Sequence, residues 1–166
     1  MLMKTIQEFY TWERSSRDTI DVKTIYIDIA GDIVAGVLLS QIIYWFLPNR
    51  EGESKLRVYK DNTWWIAKGR EDWWEEIRIT PKQFDRAIKL LENKKIVITR
   101  IYQFGSKTLK HVSLNRDVFL SELNIQLNGN SRFNQRVNPD LPEDETPVPL
   151  NIESELTQES NPASPE

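Results

Sequence analysis

Thr80-Pro81-Lys82-Gln83-Phe84-Asp85-Arg86-Ala87-Ile88-Lys89-Leu90-Leu91-Glu92-Asn93 is the stretch on which the fold turns. A threonine before a proline is a strong helix start, because the hydroxyl caps free amides and proline fits the first helical position. The predicted helix runs to about Asn93. At about 100° per residue, Phe84, Ala87, Ile88 and Leu91 share one stripe, while Lys82, Arg86, Lys89 and Asn93 occupy a stripe about 60° wide on the opposite side. One face packs and the other displays cations and an amide. Upstream, Gly69 opens a short helix over residues 70–77 that carries Trp73 and Trp74. Only Arg78-Ile79 separates it from Thr80, the connection of a helix-turn-helix unit.

Beyond Lys94-Lys95, residues 96–104 and 108–114 are rich in β-branched and aromatic side chains and mirror each other across Gly105-Ser106-Lys107. They predict a β-hairpin. Helix-turn-helix followed by a hairpin is the winged-helix order, closed here by a helix over 115–123. On the other side, short strands over 56–59 and 64–67 flank the turn formers Asp61-Asn62. The charge-free run Ile33–Phe46 predicts a helix capped by Asp32 and terminated by Pro48. Being apolar nearly all round, it must be covered on most sides, with a central place in the core and a dimer interface both open. Ile25, Ile27 and Ile29 alternate and predict a strand over 22–29. Ile6, Phe9 and Tyr10 suggest a short helix within 4–17. The expected fold is therefore α+β: a winged helix-turn-helix over 31–124, an N-terminal helix and strand extension over 1–30, and a disordered acidic, proline-rich tail over 125–166.

Charge is segregated along the chain. Residues 78–116 hold ten basic side chains against Asp85 and Glu92, a net of +8 inside a chain of net −3. Dense positive charge in a short folded stretch points to an anionic partner, most often nucleic acid. From Ile125 onward the chain holds six of its eight prolines and eight acids against Arg132 and Arg136. Such a composition cannot offset its ordering entropy by burial. In that tail Leu150, Ile152 and Leu156 are a candidate anchor for a protein partner. With 166 residues and six Trp the chain supports one sizeable core. The absence of cysteine removes disulfides, thiolate metal sites and thiol nucleophiles together, and the first residues lack the pattern of a signal peptide. The expectation is a cytoplasmic protein, and no segment reaches the roughly 20 apolar residues of a membrane span.

The chemistry expected of the second helix is groove reading. Arg and Lys pair with guanine O6 and N7, and Gln with adenine N6 and N7. Gln83 and Arg86 are the candidate base readers, with Lys82 and Lys89 expected on phosphates and Asn93 beside them. Lys107 at the hairpin tip, with Arg100 and Lys110 on its flanks, would reach the backbone or a minor groove. Catalysis is not expected. The single histidine, His111, reads as a partly exposed strand residue, and no phosphate-cradling loop or metal-spaced cluster appears. Asp28 and Asp32 flank a loop and are the weakest of metal candidates; no cofactor is expected. Glu75 and Glu76 point apart around a helix, so they make poor acid-base partners. The adjacent tryptophans must also split, one of Trp64/Trp65 and one of Trp73/Trp74 packing inward while the other is left exposed.

Ile42-Ile43-Tyr44-Trp45-Phe46, Trp64-Trp65-Ile66-Ala67-Lys68, Asp72-Trp73-Trp74-Glu75-Glu76, Thr80-Pro81-Lys82-Gln83-Phe84 and the Gly105 hairpin together resemble winged-helix domains of bacteriophage and plasmid replication proteins. The resemblance spans residues 20–120. It implies an origin-binding domain of a replication initiator or replisome organiser, with no catalytic centre. Similar domains usually carry Gly where this chain has Arg78 and near Lys95. A left-handed backbone there would cost a non-glycine residue on the order of 1 kcal/mol. Two functions follow as expectations. The first is duplex DNA binding in mobile-element replication or transcription regulation, with a homodimer as the habitual arrangement. The alternative is a protein-interaction winged helix, a phage-type adaptor or inhibitor that does not bind DNA.

Overall fold

The computed structural model describes residues 3–129. The acidic tail therefore lies outside the described residues except for its first five positions. Helix α1 (Ile6–Ser15) starts at Thr5, whose hydroxyl accepts from the Glu8 amide while the Glu8 carboxylate accepts from the Thr5 amide, and none of its side chains is buried. Helix α2 (Thr24–Ala30) and helix α3 (Ile33–Phe46) meet at Gly31, whose φ of 75° is left-handed, and the chain bends there by 114°. Asp32 caps α3 by accepting from the Ala35 amide at 2.9 Å.

The strand expected over 22–29 is instead α2. Three alternating isoleucines are too few to separate the two periods. Ile25 and Ile29, four residues apart, share a helix face and are buried. Ile27 lies against α3 at Gly36, where a Cβ would stand only 2.7 Å from the Ile27 backbone. That close approach and the Gly31 corner decide for helix. Ile25, Ile29 and Ala30 of α2 belong to the main core, whereas α1 buries none of its side chains.

Strand β1 (Val58–Lys60) and strand β2 (Thr63–Ala67) form a hairpin whose two turn residues, Asp61 and Asn62, both have positive φ, the type I′ pattern that matches strand twist. Helix α4 (Trp73–Ile77) is shorter than the predicted 70–77, and helix α5 (Pro81–Asn93) follows Arg78-Ile79-Thr80. Strand β3 (Val97–Phe104) and strand β4 (Lys107–Leu114) turn through Gly105, with φ 59°, and Ser106, a type II′ turn. Helix α6 (Arg116–Gly129) ends the described chain. It runs past the predicted 123, so residues 125–129 are helix rather than tail. The sheet is antiparallel throughout, in the order β1-β2-β4-β3.

The core lies between α3 and α5, closed below by one face of the sheet. Leu38, Leu39 and Ile42 of α3 are completely buried against Phe84, Ala87, Ile88 and Leu91 of α5 and against Val97, Val112 and Ile66 of the sheet. Apart from Ala87, each such side chain contributes roughly 1.5–3 kcal/mol. Trp73 stacks on Phe84 with ring centroids 5.5 Å apart, fixing α4 on α5. Glu76 ties α4 to α3: its carboxylate accepts from Gln41 Nε2 at 2.6 Å and Trp45 Nε1 at 3.0 Å, and pairs with Lys68. A carboxylate expected to be a poor catalyst is thus a structural acceptor.

Arg78 and Lys95 take the left-handed conformation, with φ of 56° and 59°. Both turns keep the geometry that glycine suits. Arg78 offsets its strain by donating to the Trp74 and Glu75 carbonyl oxygens at 2.9 and 3.2 Å. Lys95 is exposed and has no such bond among the described residues. Lys95→Gly is therefore expected to raise stability by about 1 kcal/mol, read as a higher urea midpoint with an unchanged slope. Gly36→Ala should lower it by about 1–3 kcal/mol, because the added methyl meets backbone that cannot move aside.

Candidate nucleic-acid interface

Helix α5 is held by its own cap and by two clamps. Thr80 accepts from the Gln83 amide at 3.3 Å while the Gln83 side-chain oxygen accepts from the Thr80 amide at 2.8 Å. At the centre, the Arg86 guanidinium faces the Asp32 carboxylate in a two-point pair, Nη1 to Oδ1 at 3.1 Å and Nη2 to Oδ2 at 3.2 Å. At the end, Lys94 donates from Nζ to the Ile29 carbonyl oxygen at 3.0 Å. Both clamps land on the corner between α2 and α3.

These contacts change the roles expected of the two base readers. A glutamine reads adenine with its oxygen and nitrogen together, and here the oxygen is committed to the cap. Arginine reads guanine with the same fork that Arg86 gives to Asp32. Sequence periodicity identified the exposed face correctly but could not show that an acid 54 residues away in the chain would reach it. Lys82, Lys89 and Asn93 are exposed on that face, and among the described residues neither lysine is ion-paired. Asp85, the acid on this helix, is occupied by Arg70.

The hairpin cations are divided. Strand register puts Arg100 opposite His111 and Lys107 opposite Phe104 on one face, while Lys110 opposes Ile101 on the other, the face that carries Val112 into the core. Arg100 and Lys107 are exposed; Lys110 is half-buried. Arg100 also donates to the Thr99 carbonyl oxygen at 3.0 Å.

His111 is fully buried, contrary to the expected partial exposure. The outer face of the sheet carries a second, aromatic cluster: Tyr102 and Phe104 stand edge-on to the imidazole at 5.2 and 6.2 Å, and Trp65 stands edge-on to Tyr102 at 5.5 Å. The β1-β2 hairpin secures this cover, since Trp65 donates to the Lys60 carbonyl oxygen and the Tyr102 phenol donates to Asp61, which holds the phenol above its ordinary pKa. No sequence signal marks this second face, because it alternates apolar and polar residues like any solvated one. The tryptophan pairs split as expected: Trp65 and Trp73 are buried, Trp64 and Trp74 exposed.

Asp32 serves its cap and its arginine, and among the described residues no three metal-ligating side chains cluster. A cleft of 190 Å³ lined by Trp45, Leu56, Val58, Trp65 and Phe104 lies below the roughly 300 Å³ at which small-molecule sites begin. Compared with known proteins, the chain matches no family model, no curated protein and no solved structure. Among the described residues no single helix is long and apolar enough to cross a membrane.

The Ala35 amide, and then the Arg86 guanidinium, hold the Asp32 carboxyl below the usual carboxylate pKa. A lowered folded value means that the stabilisation is complete above the unfolded value of about 4 and is lost as pH falls through the folded one. Asp32→Asn keeps a capping oxygen and loses the charge. It should be less stable than wild type at pH 7 by up to about 1 kcal/mol, with the difference closing below about pH 4 in urea titrations.

Proposed function

We propose that the protein binds duplex DNA as a winged helix, with α5 entering the major groove and the β3-β4 hairpin as the wing. The observation that carries this reading is the placing of Lys82 and Lys89. They stand exposed on one stripe of a helix whose opposite stripe is core, directly after a three-residue turn from α4. The arrangement α3, β1-β2, α4, α5, β3-β4 follows the winged-helix order, and β2 pairing with β4 supplies the three-stranded base of such a wing.

In this function Lys82 and Lys89 contact phosphates, and Lys107 reaches the neighbouring backbone from the hairpin tip. Base discrimination falls to Asn93 and the free amide nitrogen of Gln83, unless binding draws Arg86 from Asp32. That exchange is inexpensive, because an exposed ion pair contributes only about 0–1 kcal/mol and a guanine or phosphate replaces the lost partner. The biological setting we infer, replication or transcription control in a bacteriophage or plasmid, rests on the resemblance of the core and helix-start residues alone.

If about four phosphates are neutralised, the logarithm of affinity should fall with the logarithm of salt concentration at a slope near −3.6. Lys82→Ala/Lys89→Ala should bring that slope to about −1.8 and remove most binding at physiological salt. Fluorescence anisotropy on a labelled duplex at several salt concentrations measures both. Equal curves for the double variant and wild type would reject the assignment. Capture of a protein partner that depends on residues 125–166, without any DNA affinity, would favour the adaptor function instead.

A further inference from the structure

Five cations of α5 and the β3-β4 wing are left without acidic partners among the described residues. Lys82 and Lys89 on α5, Lys95 in the turn that follows, and Arg100 and Lys107 on the wing are exposed, and none is ion-paired there. Four carboxylates that belong to these elements or touch them are each turned onto another group. Asp32 takes Arg86, Asp85 takes Arg70, Glu92 accepts from the Thr99 hydroxyl, and Asp61 accepts from the Tyr102 phenol. Uncompensated positive charge on adjoining elements raises the local concentration of any anion.

Beyond α6 the same chain carries the opposite charge. Residues 130–166 hold eight carboxylates against Arg132 and Arg136. The acids begin at Asp140, with Glu143, Asp144 and Glu145 close behind and Glu153, Glu155 and Glu159 further on. From residue 130 to Glu153 the chain can span roughly 80 Å. A compact body of this size is roughly 36 Å across, so half its circumference is shorter than that span. The acids therefore reach α5 and the wing from Gly129 whichever way round the chain runs.

We infer that the acidic segment 140–159 docks on the cations of α5 and the wing and holds that surface until a stronger polyanion displaces it. Charge complementarity and tethering argue for this occupant. A tethered ligand acts at an effective concentration in the millimolar range, so weak contacts suffice, and an acidic segment of another protein has to compete with it. Each exposed pair is weak and is screened beyond about 8 Å at physiological ionic strength, which makes the contact collective and reversible. The docking does not depend on DNA; its consequence, competition with a duplex, rests on the proposed function. If the segment covers the surface about nine-tenths of the time, the apparent affinity for a duplex falls about tenfold.

Because the chain lacks cysteine, Ser154→Cys places a single nitroxide label between Glu153 and Glu155 of the full chain. At low salt the label should broaden the amide NMR signals of residues 82–95 and 100–110 most strongly, and about 0.5 M salt should abolish the effect. Lys82→Ala/Lys89→Ala/Lys107→Ala should reduce it, with circular dichroism unchanged because all three side chains are exposed. Broadening that is absent, spread evenly over the body, insensitive to salt or equal in the triple variant would overturn the inference. So would broadening as strong between labelled and unlabelled molecules as within one, which would assign the surface to the tail of another copy. Replacing Asp140, Glu143, Asp144, Glu145, Glu153, Glu155 and Glu159 by their amides should strengthen duplex binding about tenfold at low salt, with the gap closing as salt rises. Equal affinities in fluorescence anisotropy would overturn the competition. A duplex bound by neither chain at any salt concentration would reject the proposed function and not the docking, which the broadening decides.

Discussion

A fourteen-residue helix with no charged side chain sets the terms for the rest of the molecule. Water is excluded from most of α3: α2 folds back against it across the Gly31 corner, α5 crosses its inner side and the sheet closes beneath, while Ile33 and Tyr44 stay exposed. Gly36 is the point where that constraint is tightest, since the α2 backbone approaches closer than any side chain would allow. The positions of α5 and of the β3-β4 hairpin, and hence of every cation proposed to meet DNA, follow from how α3 is covered.

Asp32 is where the structural and functional demands meet. Its carboxylate caps α3 and also receives Arg86, so the same group fixes the start of the central helix and the angle at which α5 lies on it. This pair draws one arginine away from the exposed stripe and leaves lysines to face the solvent. Lysines are point charges suited to phosphates more than to base edges. In the proposed interface this composition favours electrostatic docking over dense sequence readout.

Much of the architecture was legible in the residues. The Thr80-Pro81 start, the packed stripe of Phe84, Ala87, Ile88 and Leu91, the Asp32 cap and the Gly105 turn are local signals, and each marks the element it belongs to. The expected glycine positions at Arg78 and Lys95 are left-handed in the structure, which ties backbone geometry to residue preference even where the glycine is missing. The errors arose where local pattern is degenerate. Three alternating isoleucines satisfied strand and helix alike, and His111 looked solvated because nothing nearby in sequence announces the rings of Tyr102, Phe104 and Trp65. Residues 125–129 were assigned to the tail on composition, although α6 continues through them.

The sequence by itself determined where α3 and α5 begin, which side of α5 is apolar, and that positive charge gathers between residues 78 and 116. Those properties depend on neighbours within one or two turns, where side-chain spacing and capping act directly. Only the tertiary structure decided which cations are left to act. Asp32 and Arg86 are 54 residues apart, as Lys94 and the Ile29 carbonyl are 65 apart. Such pairs form when the covering of α3 brings distant segments together, and no local periodicity encodes that distance.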